Sequence, residues 1–310
     1  MKKIINETFI QGYLYDTDRL ELKVSGENAK NPGTEFISGT IKVATDDDLT
    51  NVISIVYRYE AATTKSGKKN TKFDALKDII DGKLKTVMND GIENATKVRV
   101  NSAIGVNDFP VTNSNGEKEW IAAKKNDGGF IHVINAFDKE EKDRNTFRCD
   151  MIITGTRYIE ADEEKNLPAK LVVKGCTFNF FKALIPVEFS VINPNAISYF
   201  EGLEATGTDP AFTEVRGRQV SETVVKRFEE ESAFGESIIR ESKSTRKDWV
   251  ITWAAREPYV WDTEETVTAD ELKQAIADRE VFLANEKKRR EEYEASLNAA
   301  PAVDKGSFNF

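Results

Sequence analysis

A chain of 310 residues with 39% hydrophobic content can fill two ordinary domains without disulfides or metal. Its longest apolar runs, such as 151–153 and 183–185, fall far short of the roughly 20 residues that a bilayer crossing needs, and residues 1–11 lack the apolar core of a secretion signal, so a cytoplasmic protein is expected. The formal net charge is -9; residues 1–150 carry 23 basic against 24 acidic side chains, and the remaining -8 falls in 151–310, which must mostly repel polyanions.

Alternation, β-branched enrichment and bounding turn residues predict strands over 9–15 and 20–24, with a turn at 16–18, then over 36–44 and 51–59. A Ser/Gly/Lys loop leads into a short helix over 72–82, with apolar residues three and four apart and a terminating Gly82. Strands resume at 96–105 and 129–136, separated by a polar excursion that contains Pro110 and Trp120. The second half repeats the scheme: strands over 147–158, 169–179 and 184–192, a short helix over 196–202 behind Pro194, and strands over 213–220 and 249–254. Internal glycines such as Gly39, Gly155 and Gly175 suit strands that coil to close a five-stranded barrel with a helix between its third and fourth strands. A flatter sheet with peripheral helices is the alternative. Thr268 to Glu271 fits a capping box that starts a charged, mostly exposed helix over 269–297.

Chemistry-bearing constellations are few. Residues 61–72 hold Lys65, Lys68, Lys69 and Lys72 without an acidic side chain, on a loop able to follow a phosphate backbone; Tyr57, Tyr59 and Phe73 nearby are candidate stacking rings. Trp120 beside Lys124 and Lys125 is a second candidate, and Arg216, Arg218, Lys226 and Arg227 form a weaker basic set. Trp249 and Trp253, an even number apart, are expected on one face of a strand. The sequence contains neither a GxxxxGK[ST] nor a GxGxxG loop, so no nucleotide-phosphate cradle is signalled. One histidine, His132, must serve any nucleophilic or zinc hypothesis, Cys149 and Cys176 read as buried thiols, and the acidic runs 46–48 and 229–231 read as solvated charge. No catalytic residue, cofactor or metal is therefore expected.

Gly12-Tyr13-Leu14, the strand 36–41, the turn Asn107-Asp108-Phe109, the segment 212–217 and the stretch 229–235 together resemble bacteriophage single-stranded DNA-binding proteins of the OB-fold type, over roughly 1–256. The expected fold is mainly β with short helices: two OB-like barrel units over 1–145 and 146–262, a charged helix over 263–298 and a flexible tail over 299–310. The resemblance implies that barrel surface and loops bind single-stranded DNA, in replication or recombination within a bacterial host cell. It also implies that a tail ending in phenylalanine, here Phe310 with Asp304 as its one acidic side chain, recruits replication or recombination proteins. The competing expectation is a phage structural or assembly protein that makes protein contacts.

Overall fold

The computed structural model describes residues 4–27, 29–64, 66–113, 115–161, 168–230, 238–263 and 266–299, with backbone alone over 222–230, 238–246 and 297–299. The N-terminal half of the chain, called the first unit for description and the C-terminal half the second, contains β1 (Asn6–Val24), β2 (Glu35–Ala44), β3 (Val52–Ala61), α1 (Thr71–Ile80), α2 (Val87–Asp90), β4 (Lys97–Ser102), β5 (Ile104–Thr112), β6 (Lys118–Asp127) and β7 (Phe130–Val133). The second contains β8 (Asn145–Ile159), β9 (Lys170–Phe178), β10 (Leu184–Val191), α3 (Pro194–Gly202), β11 (Ala211–Glu230) and β12 (Ile238–Ala254). A long helix, α4 (Ala269–Ala299), follows.

The fold is mainly β, and one five-stranded barrel closes within its larger sheet. β8, β9 and β10 form an antiparallel meander, β12 lies parallel to β10 at Ser190 and Val250, and β11 pairs with β12 and returns to β8. Closure leaves no free edge around this core, where Phe147, Phe189, Val173 and Val215 meet. In the first unit β1 pairs with β2 and β4, β2 with β3, β3 with β6, and β4 with β7. Its circuit is interrupted between β6 and β7 at Gly128 and Gly129, so where two closed barrels are expected the strand ladder closes one.

Local chemistry explains the bends. Two predicted strands with a turn between them are the single strand β1, bent through a register shift between Asp18 and Glu21, with Arg19 at positive φ. Gly39 faces that bend on β2; its φ of 140° and the Arg19 carbonyl oxygen, 2.3 Å from any added Cβ, both require glycine. Gly175 plays the matching part on β9, where a Cβ would lie 2.0 Å from the Ile152 carbonyl oxygen. α1 begins at Asn70, whose side chain accepts from the Lys72 N–H, and buries Phe73, Leu76 and Ile79 against the first core. The polar excursion proves to be the β5–β6 hairpin; Pro110 is tolerated because β5 is the last strand in the sheet order.

The two units share one sheet. β1 pairs with β8 from Asn6↔Cys149 to Ile10↔Asn145, and Asn126 and Gln219 exchange two buried side-chain hydrogen bonds of 2.8 and 3.0 Å. α4 starts from the predicted capping box, with the Thr268 hydroxyl accepting from the Glu271 N–H and the Glu271 carboxylate from the Thr268 N–H. Leu272 and Ala275 then bury against Phe178, Leu184 and Phe212.

Candidate nucleic-acid interface

The lysine-rich loop joins β3 to α1. It is folded, not loose: the Thr64 N–H donates to the Lys68 carbonyl at 2.7 Å, and the Gly67 N–H returns to the Thr64 carbonyl at 2.9 Å. Lys68 and Lys69 are exposed, Lys69 pairing with Asp74 at 3.0 Å. Lys72 turns back to Glu60 at 3.1 Å and sits 5.5 Å from the centre of the Phe130 ring. Lys65 lies outside the described residues, as do Phe310 and the rest of the tail from 300 onward.

The two tyrosines of β3 part company. Ile53, Ile55 and Tyr57 alternate into the first core, where Tyr57 is 1% exposed and its hydroxyl donates to the Gly129 carbonyl at 3.2 Å. A ring packed on both faces has none left for a base, so Tyr57 belongs to the core and not to a binding surface. Past the register shift on β2, Tyr59 emerges 48% exposed, stacked on Phe36 with ring centres 4.4 Å apart and planes at 25°. Its hydroxyl lies 3.3 Å from Ser25 Oγ. This pair is a fixed aromatic surface, two residues before the end of β3 and the start of the lysine loop.

The second candidate group is dispersed. Trp120 is half-buried on β6, facing α4, with Lys287 Nζ 5.9 Å from its ring centre. Lys124 points into the junction of the units, donating to the Glu188 carbonyl and lying 5.5 Å from the Phe189 ring; burial holds its pKa below the ordinary lysine value. Lys125 is committed to Asp127 at 2.6 Å, and burial again depresses its pKa. One lysine is spent on the junction and the other on a carboxylate of its own strand, so these two lysines do not form a cationic surface with Trp120.

Other expectations divide similarly. Trp249 packs on Phe147 and Phe189, whereas Trp253 is exposed beneath the Arg216 guanidinium at 4.3 Å. The bulge between Arg216 and Gly217 skips one residue of β12 and sends the two rings to different faces, which overturns the even-spacing expectation. Arg218 lies on β11, and the side chains of Lys226 and Arg227 are outside the described residues. Asp46 is not loose solvated charge: its carboxylate accepts from the Thr50 and Asn51 N–H groups and builds the β2–β3 turn. Among the described residues no group of three or more His, Cys, Asp or Glu side chains is gathered to hold a metal.

A cleft of about 950 Å³ lies between the first unit, the β9–β10 turn and α4. Sequence reading passed over the residues that mark it: Arg58 and Phe130 from the first unit, Phe180 and Phe181 from the turn, and Phe282 from α4. The available signal was the run Asn179-Phe180-Phe181-Lys182 between two strands, where a turn ordinarily carries polar residues.

No curated protein matches the chain. Among solved structures, a deletion mutant of the single-stranded DNA-binding protein from Thermus aquaticus is similar, at 12% identity and a TM-score of 0.43, with 86% of this chain and 100% of that chain covered. No helix among the described residues is long and apolar enough to cross a membrane. A family model described as YorF matches residues 4–289, and the chain belongs to that family.

Proposed function

We propose that this protein binds single-stranded DNA with little sequence preference, without catalysis, in bacteriophage replication or recombination inside the host cytoplasm. The observation that carries the reading is the Tyr59–Phe36 stack, with Tyr59 exposed at the end of β3, leading directly into a four-lysine loop on which Lys68 is exposed while Lys69 and Lys72 pair with the flanking Asp74 and Glu60. Every base offers a π face, so a fixed ring binds any sequence, while lysines neutralise phosphates and release counterions. We read the first unit as OB-like too: a β1–β2–β3 meander, α1 before β4, and β6–β7 acting as one fifth strand broken at Gly128 and Gly129. On that reading the aromatic pair and the loop lie on the second and third strands and their exit, a surface that OB barrels use for oligonucleotides. Lys65 and the tail contact through Phe310 complete the proposal.

The test is anisotropy titration of a fluorescent oligo(dT) across a salt series. Replacing Lys65, Lys68, Lys69 and Lys72 with alanine is expected to weaken binding and to flatten the salt slope by roughly 0.7 for each phosphate no longer neutralised, with an unchanged melting curve. Unchanged affinity and slope reject the assignment.

One observation favours the structural or assembly reading. Beyond Ser221↔Lys247 the β11–β12 ribbon continues to Glu230↔Ile238, and among the described residues no third strand pairs with that part. Two-stranded ribbons are marginal alone in water, so a protein contact would stabilise it. A stoichiometric complex with a capsid or tail component, together with no affinity for single strands at low salt, would establish that reading.

A further inference from the structure

The cleft between the units combines exposed rings with cations in a way the fold does not need. Phe180 and Phe181 are 92% and 80% exposed at the tip of the β9–β10 turn, their ring centres 5.4 Å apart and their planes at 84°. The turn beneath them is fixed: Asn179 Oδ1 accepts from the Phe181 and Ala183 N–H groups, both at 2.9 Å, and the Asn179 N–H donates to the Ala183 carbonyl at 3.0 Å. Two rings held in water by a rigid turn cost solvation and contribute nothing to either core, which marks a surface that meets a ligand. Lys182 completes the turn in the left-handed region, and Arg58 on β3 reaches the same cleft, its guanidinium donating to the Val106 carbonyl at 2.9 Å. Among the described residues neither cation has a carboxylate partner, and Phe130, under Lys72, presents a further exposed ring across the cleft.

We infer that this cleft is a second single-strand subsite, in which nucleobases stack on Phe180, Phe181 and Phe130 while Arg58 and Lys182 meet the phosphates. The inference rests on the proposed DNA-binding function and extends it from the surface of the first unit to the junction of the two. Exposed rings together with unpaired cations fit a polyanion with flat apolar bases; an apolar peptide would leave Arg58 and Lys182 desolvated without a counter-charge. Four carboxylates line the cleft and set a limit on affinity: Asp108, paired with Arg279, and Asp127, paired with Lys125, from the first unit, and Asp278 and Glu286 on α4, Asp278 accepting from Gln274 and Glu286 from Arg289. A strand entering here approaches the two on α4, which have no Lys or Arg from another element beside them among the described residues.

The experiment compares the full chain with F180A/F181A, D278N/E286Q and Y59A, by anisotropy with fluorescein-labelled dT30 at low salt. It is paired with ultraviolet crosslinking to an iodouracil-substituted dT30 and peptide mapping. Expected are at least about a tenfold loss for F180A/F181A with an unaltered salt slope, since rings carry no charge, and tighter binding for D278N/E286Q. A crosslink in the 179–183 peptide is also expected. If the parent protein binds dT30 and Y59A weakens it, but F180A/F181A stays within twofold and the turn takes no crosslink, the second subsite is wrong and the first stands. That same result is what rings reserved for a protein partner would give. A parent protein that ignores dT30 overturns both readings.

Discussion

Tyr57 and Tyr59 stand two residues apart on β3, yet one is enclosed by side chains and the other stacks on Phe36 at the surface. Replacing Tyr57 with alanine removes a buried aromatic ring and is expected to cost about 3–5 kcal/mol in a urea unfolding curve. Tyr59→Ala is expected to leave that curve nearly unmoved while weakening oligo(dT) binding about fivefold to a hundredfold, the value of stacking one base. The same residue scale governs the thiols. Burial pushes both Cys149 and Cys176 up from 9.0 to about 12. Because the folded values are raised, the stabilisation is fully present below pH 9 and lost as the pH rises toward 12. The slope is roughly 1.4 kcal/mol per pH unit for each thiol. Unfolding free energies measured from pH 8 to 11 are expected to fall more steeply for the parent than for C149A/C176A, once both are normalised at pH 8. Parallel curves would show that the thiols are not protected.

Secondary structure was legible wherever a single face or a capping residue controlled it. The strands 36–44, 51–59 and 184–192, the helix behind Asn70 and the capping box at Thr268 all rest on local patterns that tertiary packing then uses unchanged. What escaped were features that only pairing creates: β5 and β6, whose polar sequence hides a hairpin, and the lengths of β11 and β12, whose outer halves hold each other. The site was less legible still. Four of its candidate residues, Tyr57, Trp120, Lys124 and Lys125, face a core, a helix, the junction of the units or a neighbouring carboxylate, because composition does not say which way a side chain points. α4 yields a prediction of its own. Its first turns are held by Leu272, Ala275 and the well-covered Arg279–Asp108 pair, and its later turns by exposed contacts such as Lys118–Glu294. Amide exchange is therefore expected to be slow near Ala275 and fast beyond Arg290. Arg279→Ala is expected to spread fast exchange toward the N-terminal turns, and equal rates along the parent helix would contradict this account of its docking.

One sheet runs through the whole molecule, crossing between units at β1–β8 and braced by the buried Asn126–Gln219 exchange. Gln219→Ala leaves the buried Asn126 Oδ1 without its donor, while Nδ2 keeps the Ser54 carbonyl, and is expected to cost about 1–3 kcal/mol, read as a lower denaturant midpoint. At the same scale, a total charge of -9 opposes polyanion binding, and the account requires local geometry to prevail over that sum. Lys68 and Lys69 on the loop that follows the Tyr59–Phe36 stack, with Lys72, Arg58 and Lys182 at the cleft, are where it would do so. The most direct measurement is titration of labelled dT30 with the intact chain from 20 to 300 mM salt. The account predicts saturable binding at low salt, similar affinities for dT30 and mixed-sequence strands, and a negative log–log salt slope. A folded sample that leaves dT30 free at 20 mM salt would contradict it.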